Sequence, residues 1–271
     1  PFYMPKARWG MKYGHGQLID GLAKDGLTDV YNEVSMGVCA DNTAKKYNIS
    51  REAQDEFAIR SYKLAAETTA NGLFKDEIVG VSVPQRKKDP LLVVEDEEYK
   101  RVKFEKIPAL RPAFTKDGTV TAANASTIND GASALILASK EKVEELGLKP
   151  VAKIRSLADA AQDPMWFTTA PTLAAPKALQ RAGMEIGDID YFEVNEAFAV
   201  VPMAFNAELG VDEAKVNVFG GSVAIGHPLG ASGARIVTTL NNVLQQKDAN
   251  VGMATLCNGG GGASAIVIER V

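Results

Sequence analysis

Cysteine and histidine are both scarce, with two of each in 271 residues. Cys39 and Cys257 form no CxxC pair and no disulfide framework, and with only two histidines they supply a poor zinc site. No apolar run is long enough to span a bilayer, and the start lacks the charged, apolar and small-residue order of a signal peptide. The expected location is intracellular. A basic excess is missing too: 30 Lys and Arg against 34 Asp and Glu leave a net charge of −4, which argues against a general nucleic-acid binder. Any polyanionic ligand must therefore meet a local basic patch. The ending Glu269-Arg270-Val271 is not a peroxisomal Ser-Lys-Leu signal, and Pro1-Phe2-Tyr3-Met4 begins without an initiator Met, as expected of an internal fragment.

What is present is a globular composition. At 46% hydrophobic and 24% charged residues, the chain has enough apolar material for a sizeable core and more than one domain. Up to about residue 117, helical segments alternate with polar loops; beyond it, apolar strands, Gly-rich turns and amphipathic helices alternate, with a turn signal at Lys116-Asp117-Gly118. Ser50 is placed as an N-cap, with Glu52 in the first turn and Phe57, Ser61 and Leu64 at helical spacing until Asn71-Gly72. The stretch Ala134-Leu135-Ile136-Leu137-Ala138 predicts a buried strand, followed by a helix that Gly147 ends; Tyr191–Val194 predicts another strand. Ile236, Leu240, Val243 and Leu244 mark one apolar helix face, and 251–256 and 265–268 predict two strands joined at Cys257. Residues 95–106 switch from an acidic to a basic block, which by itself is most simply a solvated face.

The most informative stretch runs from Gly220 to Gly233, together with Cys257-Asn258-Gly259-Gly260-Gly261-Gly262. Gly221 to Gly226 has P-loop spacing, but His227-Pro228 replaces the Lys-Ser/Thr that would hold phosphate and magnesium. Gly226, Gly230 and Gly233 do not match the dinucleotide fingerprint, and Ser232 lacks the G-x-S-x-G elbow. A His at a glycine-rich bend before a helix offers an imidazole to a reacting group beside backbone N–H donors. It equally fits a histidine hydrogen-bonded in a tight turn. Cys257 is placed as a nucleophile or acid/base, against the commoner alternative of a buried apolar thiol at a strand end.

The order of Asn195-Glu196-Ala197-Phe198-Ala199, Gly226-His227-Pro228-Leu229-Gly230-Ala231-Ser232-Gly233 and Cys257-Asn258-Gly259-Gly260-Gly261, with Asn124–Ala132 upstream, resembles the motif set of the thiolases. The likeness covers essentially the whole chain and is strongest to the eukaryotic acetoacetyl-CoA thiolases (acetyl-CoA C-acetyltransferases). It implies Claisen condensation of two acetyl-CoA to acetoacetyl-CoA and CoA, or the reverse thiolysis, with a covalent thioester on a cysteine. The motif of that nucleophile is absent from this chain, and Cys39 matches a different segment, where a packed thiol is expected.

By the same resemblance, His227 activates the nucleophile and binds the enolate oxygen, and Asn195 holds a water that completes this oxyanion site. Cys257 moves the α-proton, and the N–H of Gly259 joins a second oxyanion hole. Arg101, Val102, Lys103 and Lys106 match adenine-nucleotide contacts of CoA. Phe114, Ser126, Ala197 and Phe198 resemble pantetheine or acyl neighbours, and Phe167 shapes the acyl pocket. Tyr62, counted among the CoA-side residues, also resembles part of a potassium site with the carbonyls of Ala122, Ala123, Ala125 and Val223. No other cofactor is implied; CoA is substrate and product.

The implied fold is α/β, a layered αβαβα core of two similar halves with an inserted loop domain, here N-terminally truncated. Residues 1–117 are expected to be most of the loop domain, 118–149 the tail of the N-terminal half and 150–271 the C-terminal half. Family members form dimers or tetramers in lipid metabolism, on the route to sterol precursors. The implied location is cytoplasmic or mitochondrial, with no nucleic acid or membrane as partner. Alone, this polypeptide is expected to expose an apolar sheet face and to be insoluble or partly folded. Alternatives are a long-chain 3-ketoacyl-CoA thiolase, a non-catalytic CoA- or lipid-binding relative, and a hydrolase built on Cys257 and His227.

Overall fold

A computed structural model describes residues 1–271. Its centre is a four-stranded sheet of β1 (Ala152–Ala161), β2 (Tyr191–Val194), β3 (Val251–Asn258) and β4 (Gly262–Arg270), in the order β1-β4-β3-β2. β4 runs antiparallel to β1 and β3, whereas β2 lies parallel to β3. The parallel pair requires a crossover, and the chain between β2 and β3 supplies it with α5 (Val200–Leu209), the His227 loop and α6 (Ser232–Gln246).

Period-two alternation sorts the strand side chains into two cores. Met253, Cys257, Ala263, Ala265 and Val267 face one side, where α4 (Pro171–Ala182) presents Ala174, Ala175, Ala178 and Leu179. These short side chains let the helix approach the sheet closely. Phe192 of β2 meets Phe205 of α5 edge-on at 6.0 Å on that side. Fully burying such a ring contributes about 1.5–3 kcal/mol. Ala254 and Ile268 face the other side, against Ile236, Leu240 and Leu244 of α6. The fourth residue of that helical stripe, Val243, turns instead to Phe74 and Phe219.

The first part of the chain docks through two helices. α1 (Met36–Lys46) inserts Cys39, Ala40 and Ala44 into the larger core, and α2 (Arg51–Ala70) packs Ala58, Tyr62 and Ala65 against Val223 and Ala224. Asp41 of α1 fastens the loop beyond: its carboxylate accepts from the N–H groups of Thr119 and Val120 at 2.9 and 3.0 Å and from the Thr115 hydroxyl at 2.8 Å. No helix is long and apolar enough to cross a membrane.

Most expected elements form within a residue or two of their expected limits, and Asn71 and Gly72 end α2 as anticipated. Helix α3 (Lys140–Leu146) stops at left-handed Gly147. The strand expected at residues 134–138 does not form: Ile136 is 95% exposed and the segment joins no sheet. No strand of this chain lies beside it, and an apolar run becomes a strand only where a neighbour satisfies its backbone groups. Ser50 does cap α2, its hydroxyl accepting from the Ala53 N–H at 3.1 Å. Ser50→Ala is therefore expected to lower stability by about 1 kcal/mol, read by equilibrium unfolding of the two proteins side by side.

Candidate active site

The His227 loop and the end of β3 meet at a cavity of about 550 Å³. His227, Cys257, Gly259, Phe114, Ser126, Phe167, Ala197, Phe198 and Ala125 all line it, so residues spread over 146 positions of sequence share one wall. Cys257 reaches the cavity because it shares a face of β3 with Met253, pairing with Ala263 just before the turn. The strand continues through Asn258 and β4 begins at Gly262, so the turn itself is Gly259–Gly261. Gly260 and Gly261 sit at φ 85° and 87°, and a Cβ on Gly261 would collide with the Gln162 carbonyl. Only glycine fits that approach.

A second cavity, of about 310 Å³, is lined by Tyr62, Arg101, Val102, Lys103, Lys106, Ala122 and Ala123. Thr127 lines both cavities, and its carbonyl accepts from the His227 N–H at 3.1 Å. The two cavities are thus adjacent, one apolar and one edged by cations. The charged block is largely self-paired: Lys100 binds Glu95 at 2.6 Å, and Arg101 binds Glu97 and Glu98 at 2.7 and 3.0 Å. Lys103 and Lys106 stand outside these pairs. Exposed pairs of this kind contribute little stability and open easily to a polyanion.

Asn195 and Val223 lie behind the walls. Asn195 is buried at the end of β2, with Nδ2 3.4 Å from His227 Nε2. Its Oδ1 accepts from Ser222 at 2.6 Å, and Ser222 accepts from Arg235 at 2.8 Å. His227 Nδ1 lies 2.6 Å from Ser232 Oγ. Ser222, Ser232 and Arg235 carried no local signal as site residues in the sequence, although Ser232 lies within the His227 motif and Ser222 and Arg235 flank it. Val223 packs with Tyr62, whose hydroxyl donates to the Ala123 carbonyl at 3.2 Å. Burial pushes that phenol up to about 12.

The walls set the charge states. Burial, reinforced by the Arg235 charge, pushes the His227 imidazole down to about 4, so it stands neutral with a lone pair. Burial also pushes the Cys257 thiol up to about 12, so it stands protonated. Cys39, fully buried in the core, is pushed up to about 11, chiefly by burial and then by the charge of Asp29. That agrees with a packed thiol.

The Thiolase, N-terminal domain family model matches residues 1–141, and the Thiolase, C-terminal domain model matches residues 148–270. The chain belongs to the thiolase family. The probable acetyl-CoA acetyltransferase of Dictyostelium discoideum is 55% identical over 271 residues, covering 100% of this chain and 66% of that protein. The acetyl-CoA acetyltransferase of Schizosaccharomyces pombe is 56% identical, with 100% and 69% covered. Among solved structures, the Acat5 thiolase of Ascaris suum in complex with coenzyme A superposes with a TM-score of 0.90 at 47% identity, with 100% and 69% covered. The chain thus has the thiolase fold and spans about two thirds of the length of these thiolases.

A thiol held protonated by burial should resist alkylation at neutral pH. Iodoacetamide is expected to label the Cys257 peptide slowly at pH 7.5, with the rate still climbing about ten-fold per pH unit at pH 10, as followed by mass spectrometry. A plateau near pH 9 would show that the buried environment does not raise this thiol.

Proposed function

We propose that this chain is the greater part of an acetyl-CoA C-acetyltransferase that condenses two acetyl-CoA to acetoacetyl-CoA and CoA and catalyses the reverse thiolysis. Its nucleophilic cysteine lies upstream of Pro1. The observation that carries the reading is one apolar cavity holding both a neutral imidazole and a protonated thiol, with a cation-edged cavity beside it. Lys103, Lys106 and Arg101 take the CoA phosphates, and the pantetheine arm passes Thr127 and Ser126 to the acyl cavity. Phe114 and Phe198, edge to face at 6.1 Å, with Phe167 buried at the wall, limit that cavity to a short acyl group. This favours acetoacetyl over long-chain substrates.

The steps follow from the two resting states. His227 Nε2 takes the proton of the upstream thiol, whose sulfur attacks the acetyl carbonyl; the tetrahedral oxyanion faces the Gly259 N–H. Collapse breaks the bond to CoA, and Cys257 gives its proton to the departing CoA thiolate. The thiolate left on Cys257 is a strong base in a desolvated site and removes the α-proton of the second acetyl-CoA. The enolate oxygen is met by the Nε2–H that His227 now carries and by the Asn195 site. Attack of the enolate carbon on the acyl-enzyme forms the new C–C bond, and collapse frees the upstream sulfur, which recovers its proton from His227.

Tyr62 with the carbonyls of Ala122, Ala123, Ala125 and Val223 offers the hard oxygen donors that suit potassium, between CoA and the His227 loop. A bound cation there would brace the loop without entering the chemistry. The division at about residues 117 and 149, and a dimeric or tetrameric assembly, belong to the same proposal.

The test uses the full-length protein. With acetoacetyl-CoA and CoA, loss of the acetoacetyl chromophore with formation of acetyl-CoA is expected, and kcat/KM should fall as the acyl chain lengthens. Binding without turnover would point instead to a non-catalytic relative. Cys257→Ala should still take up an acetyl group on the upstream cysteine, more slowly because CoA must leave as a thiolate, but lose condensation by about 100-fold or more; normal condensation would remove Cys257 from its role.

A further inference from the structure

The polar groups behind the acyl cavity form a row of hydrogen bonds whose direction is set from its Arg235 end. At one end Arg235, which can only donate, lies 2.8 Å from Ser222 Oγ. Ser222 is fully buried and has one proton to place, which Asn195 Oδ1 accepts at 2.6 Å. The Asn195 amide is thereby turned with Nδ2 toward His227 Nε2. A donor there requires a lone pair opposite it rather than a second N–H. At the other end the Pro228 carbonyl, which can only accept, lies 3.1 Å from Ser232 Oγ. Because the Asn195 donor claims the Nε2 lone pair, the proton of the neutral imidazole sits on Nδ1, and Ser232 Oγ at 2.6 Å accepts it while its own proton can turn to the Pro228 carbonyl.

We propose that Ser232 is a positioning residue that holds His227 as the Nδ1–H tautomer, with the Nε2 lone pair free for the reacting thiol. Ser232 touches no reacting atom. It is fully buried at the first residue of α6 and lines neither cavity, so the imidazole is the one group of the site that its hydroxyl reaches. In the opposite tautomer Nε2–H would point at Asn195 Nδ2–H, and Nε2 would have no lone pair with which to take the thiol's proton. The inference rests on the role of His227 proposed above.

Ser232→Ala in the full-length enzyme removes the acceptor. The expected result is a fall of about ten-fold or more in kcat for acetoacetyl-CoA thiolysis, with KM within about two-fold, because general-base catalysis at stake here is worth about 10²–10⁴. Ser232→Thr keeps the hydroxyl and should restore most of kcat. Ser232→Cys keeps the volume with a poor acceptor and should behave as Ala does, which covers the case where alanine unsettles the fold. A second readout needs no turnover: ¹⁵N NMR of histidine-labelled protein, with His227 assigned by difference against His227→Gln. Wild type should show a protonated Nδ1 and an unprotonated Nε2, and Ser232→Ala a mixture. Unchanged kcat in both Ser232→Ala and Ser232→Cys, or a protonated Nε2 in neutral wild type, would overturn the proposal. An inactive wild type that still shows the Nδ1–H tautomer would instead fault the activity assigned above.

Discussion

The buried carboxylate of Glu196 joins the two parts of the chain that must meet for a site to exist. Its oxygens accept from Ser61 of α2 at 2.7 Å, from Asn217 at 2.8 Å and from the Val223 N–H of the His227 loop at 3.1 Å. A carboxylate wholly removed from water is costly, and these donors offset the cost. Burial pushes its pKa up while the three hydrogen bonds pull it back. The glycine pair beside it answers a spatial demand. Gly220, at φ 84°, lies against the Ser61 and Ala65 backbone, and a Cβ on Gly221 would enter the Glu196 carboxylate. Helix, loop and strand end are thereby held in one arrangement.

Once that arrangement exists, desolvation does the rest of the electrostatic work. One apolar enclosure drives His227 down and Cys257 up, because a charge on either is disfavoured there. A resting pair of neutral groups follows, one able to take a proton and the other able to give one. Glu193 of β2, two residues before Asn195, is pushed up to about 8 by burial even though Arg235 opposes the shift, so the same enclosure extends behind the cavity wall.

Motifs with strict local demands were legible in the sequence. The Ser50 cap, the helix α6 with its face of Ile236, Leu240 and Leu244, and the stop at Gly147 depend on near neighbours and formed where expected, Val243 alone turning aside. Elements that depend on distant partners were not. The apolar run at 134–138 looks like a core strand in sequence yet pairs with nothing in this chain. Glu196 was visible inside its motif, but nothing local says that its partners are 135 and 21 residues away.

The sequence by itself determined the chemistry available: one imidazole and one thiol at glycine bends, an amide in Asn-Glu-Ala-Phe, and basic residues on an otherwise acidic chain. Side-chain identity and turn chemistry are local, so the motifs could be recognised before any fold was known. Only the tertiary structure decided their states. Burial, which no local window measures, keeps the thiol protonated and the imidazole neutral, and the row from Arg235 through Ser222 and Asn195 orients the amide toward that imidazole. That orientation comes from contacts among β2, the His227 loop and α6, and only folding brings those segments together.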